Sequence, residues 1–304
     1  MKNIHRAIIA LIVANIIWGA ASPIFKWSLQ NIEPFTLAFI RFAIASIILL
    51  PFVIKNLKIE KKDILIIFGL SIVGIGVHIP LFLLGLKYTQ SINAPIIGSS
   101  APIFIILISI PIFREKLKIK KLLGALLGLF GVSFLFLKPI FQNGIDANAL
   151  GNILLIAATF AGIAYIVLAK EIMEKYKVIT VLFYTFLIGT LTLAPLFLYE
   201  NSKNNFLATL NYQGIIGIVF GALLSSALAY YLFYWALKKL SASDVSLFTY
   251  IDPIIAILIA IPLLQEIPSF TYLVGTIFVF LGIYIAEGHL PYHHYKKLDR
   301  HSDN

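Results

Sequence analysis

The chain alternates long apolar runs with short polar breaks almost from end to end. Reading the runs as helices predicts ten spans, at roughly 6–27, 35–54, 64–86, 92–113, 120–138, 149–169, 178–199, 213–237, 243–264 and 270–287. Each approaches the ~20 residues that an α-helix needs to cross the hydrocarbon core of a bilayer. Inside the runs apolar and polar residues do not alternate, as the strands of a membrane barrel would require. The remainder, Gly288 to Asn304, is a polar tail. The first run has a basic start (Lys2, Arg6) and small residues at Ala20-Ala21-Ser22, like a signal peptide. It continues apolar to Trp27, past the ~7–15 residues of a signal-peptide core, and therefore reads as a span.

Composition supports the pattern. Only 12% of the 304 residues are charged, against 60% hydrophobic, and that charged share is about half of what a soluble domain carries. Cysteine is absent, which excludes disulfide frameworks and thiolate metal sites. A net charge of +10 would suit nucleic acid, but the placement of the charges argues otherwise. Lys and Arg gather in alternate loops, at 55–62, 114–121, 170–177 and 238–239, and at both termini, while the opposite loops keep Lys87, Lys138 and Lys203. Basic loops stay cytoplasmic and face anionic lipid. The expectation is a multi-pass plasma-membrane protein with N- and C-termini in the cytoplasm and no nucleic-acid partner.

An internal repeat runs through the chain. APIFIILISIPIFRE (101–115) aligns with DPIIAILIAIPLLQE (252–266) at an offset of 151, with eight of fifteen positions identical. Biased composition alone gives roughly one or two. At the same offset Gly124 and Gly131 fall on Gly275 and Gly282; nearer the start of each half the offset is about 144, placing Lys26 on Lys170 and Pro51 on Pro195. Five spans per repeat is an odd number, so the second copy enters the membrane upside down. The loop charges agree, being dense around Glu115 and missing around Glu266. The fold class expected is an all-α integral membrane protein of ten transmembrane helices, arranged as two inverted five-helix repeats: residues 1–138, residues 149–287, and a cytoplasmic tail at 288–304. Such halves commonly meet around a substrate near the midplane and rock to alternate access.

The segments WGAASPIFKWSL (18–29), EPFTLAFIRFAIAS (33–46), LLGLKYTQSINAPIIGSSAPIFIILISIPIFREKL (83–117) and YWALKKLSASDVSLFTYIDPIIAILIAIPLLQEIP (234–268) resemble the drug/metabolite transporter superfamily, in its ten-helix EamA-type branch. The resemblance covers nearly the whole chain. It implies a central cavity and usually export of amino acids or other metabolites, while the substrate does not transfer within so broad a branch. In one respect the chain departs: family members often carry a tryptophan in the sixth helix, and here Gly162 falls on Trp18.

Ionisable residues within spans are costly and mark candidate chemistry. Asp252, expected near the middle of the ninth helix before Pro253, is a candidate for a substrate amine or a proton; the alternative is a structural partner for backbone freed by the proline. Arg41 suits a substrate carboxylate, or else a fixed structural partner. His78 lies in GIGVHIP (74–80), where Gly74, Gly76 and Pro80 predict an irregular helix, a feature of binding sites in transporters; packing against a neighbouring helix is the alternative. Its repeat mate is Ala229. Trp18, Tyr165, Tyr231 and Tyr250 are the aromatic candidates for the cavity wall, drawn from a set within spans that also holds Tyr230, Tyr234 and Trp235; plain helix packing is the alternative. Asn15, Ser99-Ser100 and Ser225-Ser226 read as interhelical hydrogen bonds, Gly124 and Gly128 as close helix packing, and Lys26 as a snorkelling side chain. The tail histidines (His289, His293, His294, His301) have no fixed geometry for a metal.

No GxxxxGK[ST] loop, HExxH or GxSxG occurs. The reading is a secondary transporter, not an enzyme, without cofactor or metal. It exports amino acids or related small metabolites by alternating access, with protons as the coupling ion through Asp252 or His78. Drugs, nucleotide sugars or sugar phosphates are the rival substrates, and an integral-membrane lipid enzyme is the rival class.

Overall fold

The computed structural model describes residues 2–101, 104, 119–143, 146–240, 245 and 247–287, and among these every regular element is helical. The main helices are α1 (Lys2–Ser28), α2 (Pro34–Val53), α3 (Lys61–Tyr88), α4 (Asn93–Gly98), α5 (Ile119–Asn143), α6 (Ala147–Lys175), α7 (Val178–Lys203), α8 (Tyr212–Leu237), α9 (Ile251–Leu264) and α10 (Phe270–Glu287). Among the described residues six helices, α1, α2, α3, α6, α7 and α8, are long and apolar enough to cross a bilayer. The remainder of the expected spans 92–113 and 243–264 lies partly outside the described residues, as do the tail histidines. Large apolar side chains coat the bundle, with Leu65 75% exposed, Leu191 64% and Leu258 63%. Water does not tolerate so continuous an apolar skin, and lipid does. The chain is a multi-pass membrane protein.

Small residues let the helices approach. A Cβ on Gly131 would lie 2.7 Å from the carbonyl oxygen of Gly275, and one on Gly282 would lie 2.8 Å from Gly128 Cα. Gly124 and Gly128 therefore carry the close packing of α5 on α10. α2 packs along α7, α1 on α8 and α9, and α3 on α6.

These contacts are reciprocal. Thr36 donates to the Glu200 carboxylate, and at an offset of 144 Thr180 donates to the carbonyl of Asn56. Phe42 meets its own mate Phe186, ring centroids 5.1 Å apart. Gly131 sits against Gly275 while Gly282 sits against Gly124, mates at the offset of 151. Polar ties collect at the two ends of the bundle. One end joins Glu33 to Lys87, Glu200 to the start of α2, and Glu266 to the start of α4. The other joins Asp63 and Glu60 to Lys175. Glu60 precedes α3; its carboxyl is held below the usual range by the Lys175 ammonium, and next by Lys62.

The irregularity expected around Gly74 and Gly76 is a π-helical segment, Ile72–Val77, inside α3. A second one, Phe220–Leu228, interrupts α8, and it ends 151 residues after the first. Asp252, expected near the middle of the span 243–264, lies in the first turn of the α-helix Ile251–Leu264, after a 3₁₀ turn at Leu247–Tyr250. Pro253 explains the position, because a residue without an N–H fits the first turn, whose N–H groups have no intrahelical partner.

Candidate functional site

Between the halves lies a cavity of about 210 Å³, bounded by α1, α2, α3, α4, α6, α8 and the start of α9. Its wall is largely apolar and aromatic, with few polar groups, which is the composition of a small-molecule site.

Arg41 enters from α2 and is 2% exposed. A bare guanidinium in this medium costs several kcal/mol. Here Phe25 and Phe42 flank it, 4.7 and 4.6 Å from ring centroid to Cζ, and such faces attract the cation. Its Nε donates to Ser226 Oγ at 3.1 Å. Nη1 has no hydrogen-bond partner among the described residues. Structural anchoring thus occupies one edge of the fork and leaves another uncommitted.

Trp18 donates its Nε1–H to the carbonyl of Ser225 at 3.1 Å. Ser225 belongs to the π segment of α8, where the backbone ladder is irregular and side chains from other helices find carbonyls to bond. The indole also stands edge-on to Tyr230, centroids 5.3 Å apart, and against Phe233. Tyr165 packs on Gly74: a Cβ there would lie 2.6 Å from the Tyr165 ring.

His78 caps the π segment of α3 and reaches across to α6. A Cβ on Gly162 would lie 3.1 Å from His78 Cε1 and 3.2 Å from Nδ1. Nδ1 has no hydrogen-bond partner among the described residues, nor has Asp252 Oδ1 or Ser22 Oγ. Gly19 seats the turn that holds Asp252, since a Cβ on Gly19 would lie 2.8 Å from the Asp252 carbonyl oxygen.

Five of the seven residues singled out from sequence, Trp18, Arg41, His78, Tyr165 and Asp252, therefore line one cavity. Tyr231 and Tyr250 are outside its lining. Tyr231 packs half-buried against the core, and the Tyr250 ring meets Phe280 of α10 at 5.9 Å. The wall uses Tyr230 and Tyr234, from the wider aromatic set, and Phe233, which the pattern had not singled out. Asn15 and Ser100, expected to bond across helices, donate back to Leu11 and Ile97 of their own segments. Ser99 does the same to Pro95 at 2.8 Å, with a longer 3.5 Å contact to Thr249. Lys26 donates to the carbonyl of Lys87 and does not simply snorkel.

A family model described as the EamA-like transporter family matches residues 5–137 and 149–287. An uncharacterized transporter of Archaeoglobus fulgidus is 30% identical over 269 residues, covering 88% of this chain and 94% of its own length. A second from that organism is 27% identical over 91% of this chain, and the uncharacterized transporter YetK of Bacillus subtilis 28% identical over 94%. A solved crystal structure superposes with a TM-score of 0.67 at 17% identity, covering 92% of this chain and 96% of that one. That likeness is one of fold.

Proposed function

We propose that this chain, which belongs to the EamA-like transporter family, is a secondary carrier exporting amino acids or closely related small zwitterions by alternating access. The observation that carries this reading is the cavity itself. Arg41 and Asp252, one from each half of the chain, both line it, and Arg41 Nη1 and Asp252 Oδ1 are buried with no hydrogen-bond partner among the described residues. A guanidinium takes a carboxylate and a carboxylate takes an ammonium, so the pair matches the two charges of an amino acid. The volume argues against larger substrates. An apolar cavity of ~150 Å³ admits benzene; about 210 Å³ suits an amino acid and leaves no room for a nucleotide sugar.

The reciprocal contacts support the two-repeat reading of the architecture. A two-fold axis is the relation under which residue i meets j while the mate of j meets the mate of i, and Thr36–Glu200 with Thr180–Asn56 behaves so. Ten spans in two inverted sets of five, with Lys-rich loops and both termini cytoplasmic, place the Glu266 end outside. His78 and Asp252 are the candidates for proton coupling.

Solute counterflow in proteoliposomes against an amino-acid panel, with and without a pH gradient, tests the proposal. Exchange should appear for small zwitterions and fall about tenfold or more in Arg41→Met and Asp252→Asn, the size of one charge-assisted hydrogen bond. Turnover of lipid with no exchange of any solute would replace the carrier with the enzyme reading. Exchange independent of pH gradient in wild type, His78→Ala and Asp252→Asn alike would remove proton coupling.

A further inference from the structure

The two halves carry opposite bulk at one pair of mated positions, and the exchange sets the chemistry of the cavity wall. In the first half α1 supplies a large ring, Trp18, and α8 carries a small residue, Ala229, at the position mated to His78. In the second half the mate of Trp18 is Gly162, and the mate of Ala229 is His78. The structure seats the His78 ring directly over Gly162, with Cε1 and Nδ1 3.1 and 3.2 Å from where a Cβ would stand. A side chain at 162 and the imidazole compete for one space. The backbone around them is matched, since the π segments before His78 and Ala229 end 151 residues apart.

We propose that the Gly162–His78 pair is the specificity determinant of this cavity, selecting solutes whose side chain bears a hydrogen-bonding group over apolar solutes of the same size. The inference rests on the transport reading above. An indole N–H is a donor only, and that of Trp18 is already committed to Ser225. A second tryptophan at 162 would have made an aromatic wall with at most one further donor. The imidazole carries both a donor and an acceptor; its Nδ1 is buried against Gly162 without a hydrogen-bond partner among the described residues, and the ring lines the cavity. A wall with an unpaired polar atom favours the ligand that pairs it and rejects the isostere that leaves it unpaired. Gly162 is the enabling half of the device, because a methyl there already asks the ring to give by a few tenths of an ångström and a longer side chain displaces it.

The test uses near-isosteric pairs in the same proteoliposome counterflow assay: threonine with valine, asparagine with leucine. Wild type should exchange the polar member of a pair about tenfold faster, the worth of one buried hydrogen bond. His78→Ala, and Gly162→Leu through displacement of the ring, should bring that ratio toward one. His78→Gln, which keeps a donor and an acceptor, should restore most of the preference. A monodisperse size-exclusion peak for each variant reports a folded carrier, so a misfolded variant is distinguishable from a changed specificity. A wild-type ratio near one for both pairs, a ratio unmoved by His78→Ala and Gly162→Leu, or loss of both members alike in the folded variants, overturns the inference and leaves transport standing. No exchange of any pair overturns the transport reading and this inference with it.

Discussion

Replacing Glu266 by Gln should open the cavity toward the end of the bundle that holds the start of α4. Glu266 follows α9 and reaches into the first half of the chain. Its two carboxylate oxygens accept from the Ser91 N–H at 2.8 and 3.0 Å, from Ser91 Oγ at 2.7 Å and from the Ile92 N–H at 3.3 Å. The carboxylate thus closes the turn before Asn93 from across the interface between halves. Hydrogen bonds to a charged group contribute about 1.5–3 kcal/mol each, against about 0.5–1.5 for neutral ones. Gln keeps one carbonyl acceptor and the shape but loses the charge, and the site is partly exposed, so the net loss is about 1–2 kcal/mol after screening. Tyr272, whose hydroxyl donates to the Ile92 carbonyl at 3.0 Å, still holds the segment. A difference of that size shifts a two-state equilibrium about 5–30-fold.

The chain has no cysteine, so single reporters need no background removal. Ala94 lines the cavity on α4 and is 7% exposed; Ser22 lines it on α1, with no Glu266 contact. In Ala94→Cys and Ser22→Cys, a membrane-impermeant maleimide added from the Glu266 side should react about tenfold faster once Glu266→Gln is introduced. Acceleration at both reporters means the halves part. Acceleration at Ala94 alone means that α4 frays locally and the gating argument fails. Equal rates with and without Glu266→Gln refute the whole chain of reasoning.

Gln265→Gly should stabilise the protein. Gln265 sits at φ 57° at the end of α9, a conformation that costs an L-residue about 1–2 kcal/mol, and glycine returns about 0.4–1 of that through its freer unfolded chain. The net gain should raise the detergent-phase Tm by about 1–3 °C, and a fall would refute it. Gly282→Leu should separate α5 from α10, because its Cβ would already lie 2.8 Å from Gly128 Cα; overpacking of about 1–3 kcal/mol or more should appear as loss of a monodisperse peak in size exclusion. Glu60→Gln should lower Tm at neutral pH and have no effect in strong acid. The folded-state pKa of Glu60 is depressed by Lys175 and then Lys62, so its contribution is complete above the ordinary glutamate range and disappears as pH falls through the depressed value. A Tm difference that persists below that range would refute the assignment.

What was legible in the sequence was whatever local composition decides. Apolar runs and Gly-x-x-x-Gly in α5 act through their own neighbours; six of the runs reappear as long apolar helices among the described residues, and the glycines as the contact of α5 with α10. The π segment of α3 was announced by Gly74, Gly76 and Pro80. That of α8 was not, since FGALLSSAL has one glycine and no proline; its companions, Trp18 on the Ser225 carbonyl and Arg41 on Ser226, come from helices some 185–207 residues away in sequence. The miss at Tyr231 has the same origin. Adjacent residues on a helix point about 100° apart, and a π segment upstream inserts extra residues into the turn, so the phase of α8 cannot be counted from its start. Tyr230 and Tyr234 face the cavity as a result, and Tyr231 does not.

The reciprocal contacts and the cavity contacts divide the sequence in a way that neither shows alone. Where a residue meets its mate or the partner of its mate, as Phe42 meets Phe186, both copies keep similar chemistry, because the same contact is made twice. At four positions around the cavity the copies diverge: Asp252 against Ala101, His78 against Ala229, Trp18 against Gly162, and Arg41 against Thr185 at the offset of 144, while Phe82 and Phe233, mates at the offset of 151, both line it and are alike. Under the proposed two-repeat reading a contact that occurs twice constrains both copies, whereas a substrate occurs once and is not two-fold symmetric, so a site that reads it breaks the symmetry of the repeat. In each of the four diverging pairs a large or charged residue is mated to a smaller one, so the divergence concentrates bulk and charge in one half at each position.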